Sequence, residues 1–122
     1  MARILCWTSG TNSPLVLADD IPAHTDSFIG LMFHRPLSEQ QGVWLDMGLT
    51  SRFGSAIHML FVFFPIAVFW LDRRGAVVDK ALARPFRLFY MAHRAARYVV
   101  ELHPSRLPMA GVGDRLELTA GD

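Results

Sequence analysis

Five histidines are the residues of this sequence best suited to acid–base or metal chemistry. They are His24, His34, His58, His93 and His103. They lie far apart, and none occurs in the His-x-His or His-Glu-x-x-His spacing that would bring two imidazoles to one metal ion. The single cysteine, Cys6, also excludes a four-cysteine zinc site and an internal disulfide. We therefore expect no bound metal.

Nucleophilic and cofactor-binding patterns are equally weak. Ser55 and His58 are three residues apart and Asp72 is the next acid, but Ser55 does not lie in the Gly-x-Ser-x-Gly turn of hydrolases. Gly111-Val-Gly113 lacks the third glycine of a dinucleotide-binding loop, and no phosphate-binding loop sequence occurs. The sequence thus predicts no catalytic residue and no cofactor, and a small hydrolase ranks third among the candidate functions.

His58 is the strongest individual candidate for a functional residue. It is the only polar side chain in the 16 residues from Ala56 to Leu71. A buried imidazole has two nitrogens that need hydrogen-bond partners. Two interpretations stay open: a structural histidine bonded to the backbone or a neighbouring carboxylate, and a side chain that lines a ligand pocket.

Arginines alternate with aromatic residues in a second candidate site. Residues 73–106 carry eight basic residues and two acids, although the formal net charge of the chain is only +1. The arginines are Arg84, Arg87, Arg94 and Arg97, interleaved with Phe86, Phe89, Tyr90 and Tyr98. Guanidinium groups and aromatic faces bind anions and single-stranded nucleic acid. The alternative is a solvated arginine-rich face, and the small net charge does not require a nucleic-acid partner.

The elements that must position these residues are mainly strands, because short apolar runs alternate with turn sequences. The predicted strands are residues 1–7, 15–18, 42–46, 66–72, 76–82, 98–102 and 115–119. Residues 56–71 are interpreted as a buried strand pair divided near Pro65, and residues 48–54 as a loop. Arg73-Arg74-Gly75 is typical of a hairpin turn, since glycine can adopt the left-handed conformation. One helix is predicted within residues 25–33.

Short turns between strands favour an antiparallel sheet folded into a sandwich or barrel. The segment 66–71 is apolar on both faces, which predicts a central strand covered on both sides. A length of 122 residues suits a single domain over residues 1–122. The longest apolar run is too short and too proline-interrupted for a transmembrane helix, so we expect a soluble, cytoplasmic protein without a membrane span.

Several short motifs resemble the family called domain of unknown function 192. They are Gly30-Leu-Met-Phe33, Gly42-Val-Trp-Leu45, Phe64-Pro-Ile66, Phe69-Trp-Leu-Asp72, Val99-Val-Glu-Leu102 and Gly113-Asp114. The resemblance covers roughly residues 1–119 and implies a prokaryotic, jelly-roll β-sandwich with one or two short helices and no established reaction. The family pattern has Arg where Phe63 stands and Asp where Ala67 stands, so no chemical role is carried over to those two positions.

These observations predict a small non-catalytic binding or interaction domain. The candidate ligand-binding residues are His58, Arg84, Arg87, Arg94 and Arg97. The alternative function is weak binding of anions or single-stranded nucleic acid by the Arg84–Arg97 segment. A small ligand or a protein partner is expected ahead of nucleic acid, and the sequence favours no particular oligomeric state.

Overall fold

A computed structural model describes residues 2–21, 36–52, 59, 62–85 and 90–120 of the chain. Its strands are β1 (Ala2–Trp7), β2 (Leu15–Ile21), β3 (Gly42–Ser51), β4 (Ile66–Leu71), β5 (Val77–Ala83), β6 (Ala96–Leu102) and β7 (Arg115–Ala120). A 3₁₀ helix spans Pro104–Met109. The prediction of a mainly β protein is therefore confirmed. Within the described residues, no helix has the length and apolar character needed to cross a membrane.

The strands form two antiparallel sheets that pack face to face. One sheet has the order β2-β1-β7 and the other the order β3-β6-β4-β5. Ile4 and Cys6 of the first sheet share a buried cluster with Phe69 and Val100 of the second. We call this cluster the inner core. Its composition from both sheets confirms the predicted sandwich.

β4 is the central element, and all six of its residues are buried. Because side chains of a strand alternate between faces, its residues divide between two cores. Ala67, Phe69 and Leu71 belong to the inner core, whereas Ile66, Val68 and Trp70 belong to a second cluster on the opposite face. We call that second cluster the outer core. The prediction of a strand covered on both faces is confirmed.

The β4–β5 turn confirms the hairpin predicted around Gly75. Asp72 Oδ1 accepts the backbone N–H groups of Arg74 at 2.8 Å and Ala76 at 3.0 Å. Gly75 adopts a φ of 87°, a conformation that suits glycine. The backbone N–H of Leu116 donates to the Gly75 carbonyl at 2.8 Å. The turn of the four-stranded sheet is thereby tied to β7 of the other sheet.

The prediction of a loop over residues 48–54 is wrong for its first part, because β3 continues to Ser51. Gly48 adopts a φ of 81°, and its N–H donates to Asp46 Oδ1 at 2.9 Å. The pairing of β3 with β6 shifts register between Asp46 and Ser51. An irregularity at the glycine lets the strand resume where the sequence indicates only turn residues.

The second strand of the pair predicted around Pro65 is confirmed, whereas residues 56–58, 60 and 61 of the first lie outside the described residues. β4 follows the proline, but Met59 and residues 62–65 are not strand. The Val62 N–H donates to the Met59 carbonyl at 3.1 Å, a bond that a strand does not make within itself. Both side chains still contribute to the outer core. The helix predicted within residues 25–33 lies outside the described residues.

Lys80 secures the 3₁₀ helix, and its removal tests this contact. Its Nζ donates to the carbonyls of Leu107 at 2.8 Å and Ala110 at 3.0 Å. We expect Lys80→Met to lower the free energy of unfolding by about 1–2 kcal/mol, because two carbonyls lose a charged donor. Urea denaturation measures this loss. Arg84→Met is the control, since Arg84 is exposed, and equal midpoints for the two variants would contradict the prediction.

Candidate functional site

Of the five ligand-binding residues predicted from the sequence, the structure describes three. His58 and Arg87 lie outside the described residues, while Arg84 and Arg94 are exposed. Arg97 is engaged: its Nε donates to Asp46 Oδ1 at 2.7 Å, and its guanidinium carbon lies 5.5 Å from the ring centroid of Tyr98. The Arg97 guanidinium holds the pKa of Asp46 below its ordinary value.

Strand register separates two of these arginines. The residue before Arg84 pairs with Ile66 at the start of β4, whereas the residue after Arg97 pairs with Leu71 at its end. Five residues of strand span about 16 Å. Arg84 and Arg97 therefore lie toward opposite ends of the sheet, and the binding role of this segment stays a prediction.

A different set of arginines and aromatic residues lines an open cleft of about 230 Å³. Arg73 and Arg74 come from the β4–β5 turn and Arg115 from the start of β7. Trp44 of β3 and Tyr98 of β6 provide the aromatic surface. We call these five residues the arginine–aromatic cleft. Four elements of the fold, drawn from both sheets, meet here.

The two aromatic rings are held by the inner face of the four-stranded sheet. Trp44 pairs with Val100, an inner-core residue, and both Trp44 and Tyr98 are partly buried against that core. Their ring centroids are 5.4 Å apart with the planes inclined at 45°. Both residues are partly exposed and line the cleft. They form an amphipathic aromatic surface whose position is fixed by packing against the inner core.

The cleft carries an excess of positive charge. Its lining includes three arginines and one acidic residue, Glu117. Glu117 lies 3.8 Å from Arg115 and accepts the Trp7 indole N–H at 3.4 Å. Among the described residues, no carboxylate forms an ion pair with Arg73 or Arg74. Unpaired cations at a concave surface attract anions.

Glu101 is a buried acid that the sequence analysis missed. Its exposed fraction is 5%, and its strand neighbours Val43 and Val68 both belong to the outer core. Burial raises the pKa of this carboxyl to about 7, and no hydrogen bond or ion pair within the described residues opposes that rise. Glu101 is the only charged residue of the predicted strand 98–102, and this feature could have identified it from the sequence. Its position is on the sheet face opposite the cleft aromatics.

The surroundings of Cys6 are those of a structural residue and not of a nucleophile. Cys6 is buried, and desolvation raises the pKa of its thiol, which disfavours the nucleophilic thiolate. Within the described ranges, no group of three His, Cys, Asp or Glu side chains lies close enough to hold a metal ion. The expectation of a metal-free protein stays a prediction, which elemental analysis of the purified protein tests.

Two packed antiparallel sheets, with a cleft where β7 and the β4–β5 turn meet β3 and β6, define a small β-sandwich domain. The chain belongs to the family DUF192, described as "Uncharacterized ACR, COG1430", whose sequence profile matches residues 16–118. The resemblance inferred from the sequence motifs is confirmed. The family is uncharacterised, so membership assigns no specific function.

The similar proteins are archaeal and bacterial. UPF0127 protein PYRAB11210 of Pyrococcus abyssi is 36% identical over 69 residues, which are 55% of this chain and 58% of that protein. A UPF0127 protein of Thermococcus gammatolerans is 42% identical over 53 residues, 43% of this chain and 34% of that one. The aligned part thus spans a third to three fifths of these two relatives.

Two crystal structures share the fold. A protein of Sinorhizobium meliloti 1021, provisionally assigned as a transcription regulator, superimposes with a TM-score of 0.77 at 20% identity, over 95% of this chain and 92% of that one. A protein of unknown function from Novosphingobium aromaticivorans gives a TM-score of 0.75 at 20% identity, over 94% of this chain and 83% of that one. At this identity the likeness concerns the fold alone.

Proposed function

We propose that this domain binds a small anionic ligand in the arginine–aromatic cleft and catalyses no reaction of its own. The observation that carries the proposal is the meeting of three arginines and two partly buried aromatic residues in one open cleft. The arginines come from segments distant in sequence. Folding therefore creates a positive site that an extended chain lacks.

The backbone geometry supports a recognition role for Arg73 and Arg74. Asp72 fixes their turn through two hydrogen bonds, so the two side chains start from a defined position. Guanidinium groups bind phosphates and carboxylates through paired N–H donors, which makes arginine well suited to such ligands. At about 230 Å³ the cleft is smaller than a typical pocket of roughly 300–1,000 Å³. It suits a small ligand or one unit of a larger ligand.

A pair of double variants tests the location of binding. Arg73→Ala/Arg74→Ala and Arg84→Ala/Arg94→Ala remove the same formal charge, the first in the cleft and the second in the segment favoured by the sequence. With inorganic pyrophosphate as the probe in titration calorimetry, we expect the cleft variant to raise Kd at least about tenfold, because two charge-assisted contacts are lost. The matched variant should stay within about twofold.

The reverse result would contradict the proposal and return the Arg84–Arg97 segment to first place. Loss of affinity in both variants to the same extent would indicate that only the net charge matters. Measurements at two salt concentrations separate these cases, since screening weakens exposed charge interactions in general. A loss of affinity that is specific to the cleft must persist at the higher salt concentration.

The remaining expectations from the sequence stay predictions. Ser55 and His58, on which a hydrolase would depend, lie outside the described residues. The cytoplasmic location expected from the sequence also stays a prediction. Cell fractionation tests that location directly. A protein partner remains the expected alternative to a small ligand.

A further inference from the structure

We infer that the ligand of the arginine–aromatic cleft is a nucleotide unit, with its phosphate bound by the arginines and its base stacked on the aromatic rings. This inference rests on the anion binding proposed for the same cleft. It adds the chemical class of the ligand. Two kinds of ligand can present such a unit, a free nucleotide and a single-stranded nucleic acid.

The aromatic residues supply the first argument. Trp70, a structural tryptophan of the outer core, is 1% exposed, whereas Trp44 and Tyr98 are only partly buried and line the cleft. Flat aromatic side chains beside arginines form stacking surfaces for bases. Stacking of one base on an aromatic ring changes affinity by about 5- to 150-fold. A simple inorganic anion would make no use of these rings.

The polar groups supply the second argument, because they do not suit an uncharged sugar. Recognition of sugar hydroxyls uses carboxylates, amides and hydroxyl groups that can both donate and accept. Among the residues that line the cleft, Glu117 is the only carboxylate, and Arg115 and Trp7 already engage it. Arginines, which only donate, dominate the rest of the polar surface. Phosphate oxygens match them.

The size and openness of the cleft supply the third argument. An open cleft of about 230 Å³ can contact the phosphate and one face of the base, with the rest of the ligand in solvent. Walls from β7 and from the β4–β5 turn flank this space. The arrangement suits one nucleotide rather than a dinucleotide cofactor.

The experiment compares adenosine monophosphate with ribose 5-phosphate by titration calorimetry, because the two probes share the phosphate and differ in the base. We expect the parent to bind adenosine monophosphate at least about fivefold more tightly. Trp44→Leu should lower this ratio, because it removes one of the two stacking rings. Trp7→Leu is the matched control and should keep the ratio, since Trp7 contacts Arg115 and Glu117 but does not itself line the cleft.

The outcomes separate the inference from the function on which it rests. Equal affinity of the parent for the two probes would overturn the nucleotide inference and leave anion binding intact. Binding of neither probe, together with no binding of pyrophosphate, would overturn both. Tyr98→Leu repeats the comparison if Trp44→Leu fails to fold, and an unchanged ratio in a folded variant would also overturn the inference.

A 5′-phosphorylated deoxyadenosine pentamer distinguishes the two kinds of ligand. Affinity equal to that of adenosine monophosphate identifies a free nucleotide as the ligand. Affinity at least about tenfold tighter, with a steep decline as salt rises, identifies a single strand, because additional phosphate contacts release counterions. Either result supports the inference, and a pentamer that fails to compete with adenosine monophosphate for the cleft excludes the single strand.

Discussion

Glu101→Gln should raise the free energy of unfolding at pH 8 by about 3 kcal/mol. Burial raises the pKa of the Glu101 carboxyl in the folded protein from its ordinary value of 4.5 to about 7. At pH 8 the parent must therefore keep a charged carboxylate in an apolar core. The amide has nearly the same shape and carries no charge. The gain of about 3 kcal/mol follows from the difference between the two pKa values.

The advantage of the glutamine should depend on pH in a defined way. Between about pH 4.5 and 7 the folded state binds a proton that the unfolded state has released, so the stability of the parent falls as pH rises through this range. Near pH 4 the carboxyl is protonated in both states, and the two proteins should be about equally stable. Denaturant unfolding at several pH values measures the difference.

Glu39→Gln is the matched control for this experiment. Glu39 is exposed and lies 3.5 Å from Arg106, so its contribution is that of a surface ion pair, about 0–1 kcal/mol. Parallel pH profiles for the parent and Glu101→Gln would show that Glu101 is solvated or partnered in the folded protein. Any other titrating group acts in both proteins and cancels in their difference.

Gly75→Ala should lower the free energy of unfolding by about 3 kcal/mol. The φ of 87° costs an alanine about 1–2 kcal/mol. In addition, the new Cβ would lie 2.5 Å from the Leu116 carbonyl oxygen, a backbone atom that cannot turn aside. Relieving the overlap disturbs the hydrogen bond from Leu116 N–H to the Gly75 carbonyl, which ties the turn to β7.

Gly10→Ala separates the two contributions. Gly10 has nearly the same φ, 86°, but a Cβ placed there meets no atom within 4 Å. We expect this control to cost only the conformational part, about 1 kcal/mol. Thermal unfolding of both variants measures the difference, and equal losses would mean that β7 moves aside without cost.

Much of the fold could be predicted from local patterns. β4 and its turn were predictable because six apolar residues followed by Asp-Arg-Arg-Gly specify a buried strand and a hairpin without reference to the rest of the chain. Residues 48–51 were less predictable. There the glycine at position 48 indicates a turn, but pairing with β6 continues the strand beyond it. Long-range pairing overrides local preference at such a position.

The cleft could not be predicted in the same way. Trp44, Arg73, Tyr98 and Arg115 lie on four elements, and only the register between strands brings them together. Sequence proximity instead favoured the arginines of residues 84–97. Glu101 was missed for a related reason, because its burial depends on neighbours in β3 and β4 that are distant along the chain.

The pairing of β1 with β7 affects how the chain can fold during synthesis. Trp7 and Glu117, on neighbouring strands, are 110 positions apart in the chain. A ribosome that adds about 5–20 residues per second needs roughly 5–20 s to make that interval. Throughout this time β1 lacks β7, one of its two partner strands. The sheet that buries its side chains Ile4 and Cys6 is therefore incomplete. The three-stranded sheet is therefore completed late and by long-range pairing, and the nascent chain must avoid aggregation until then.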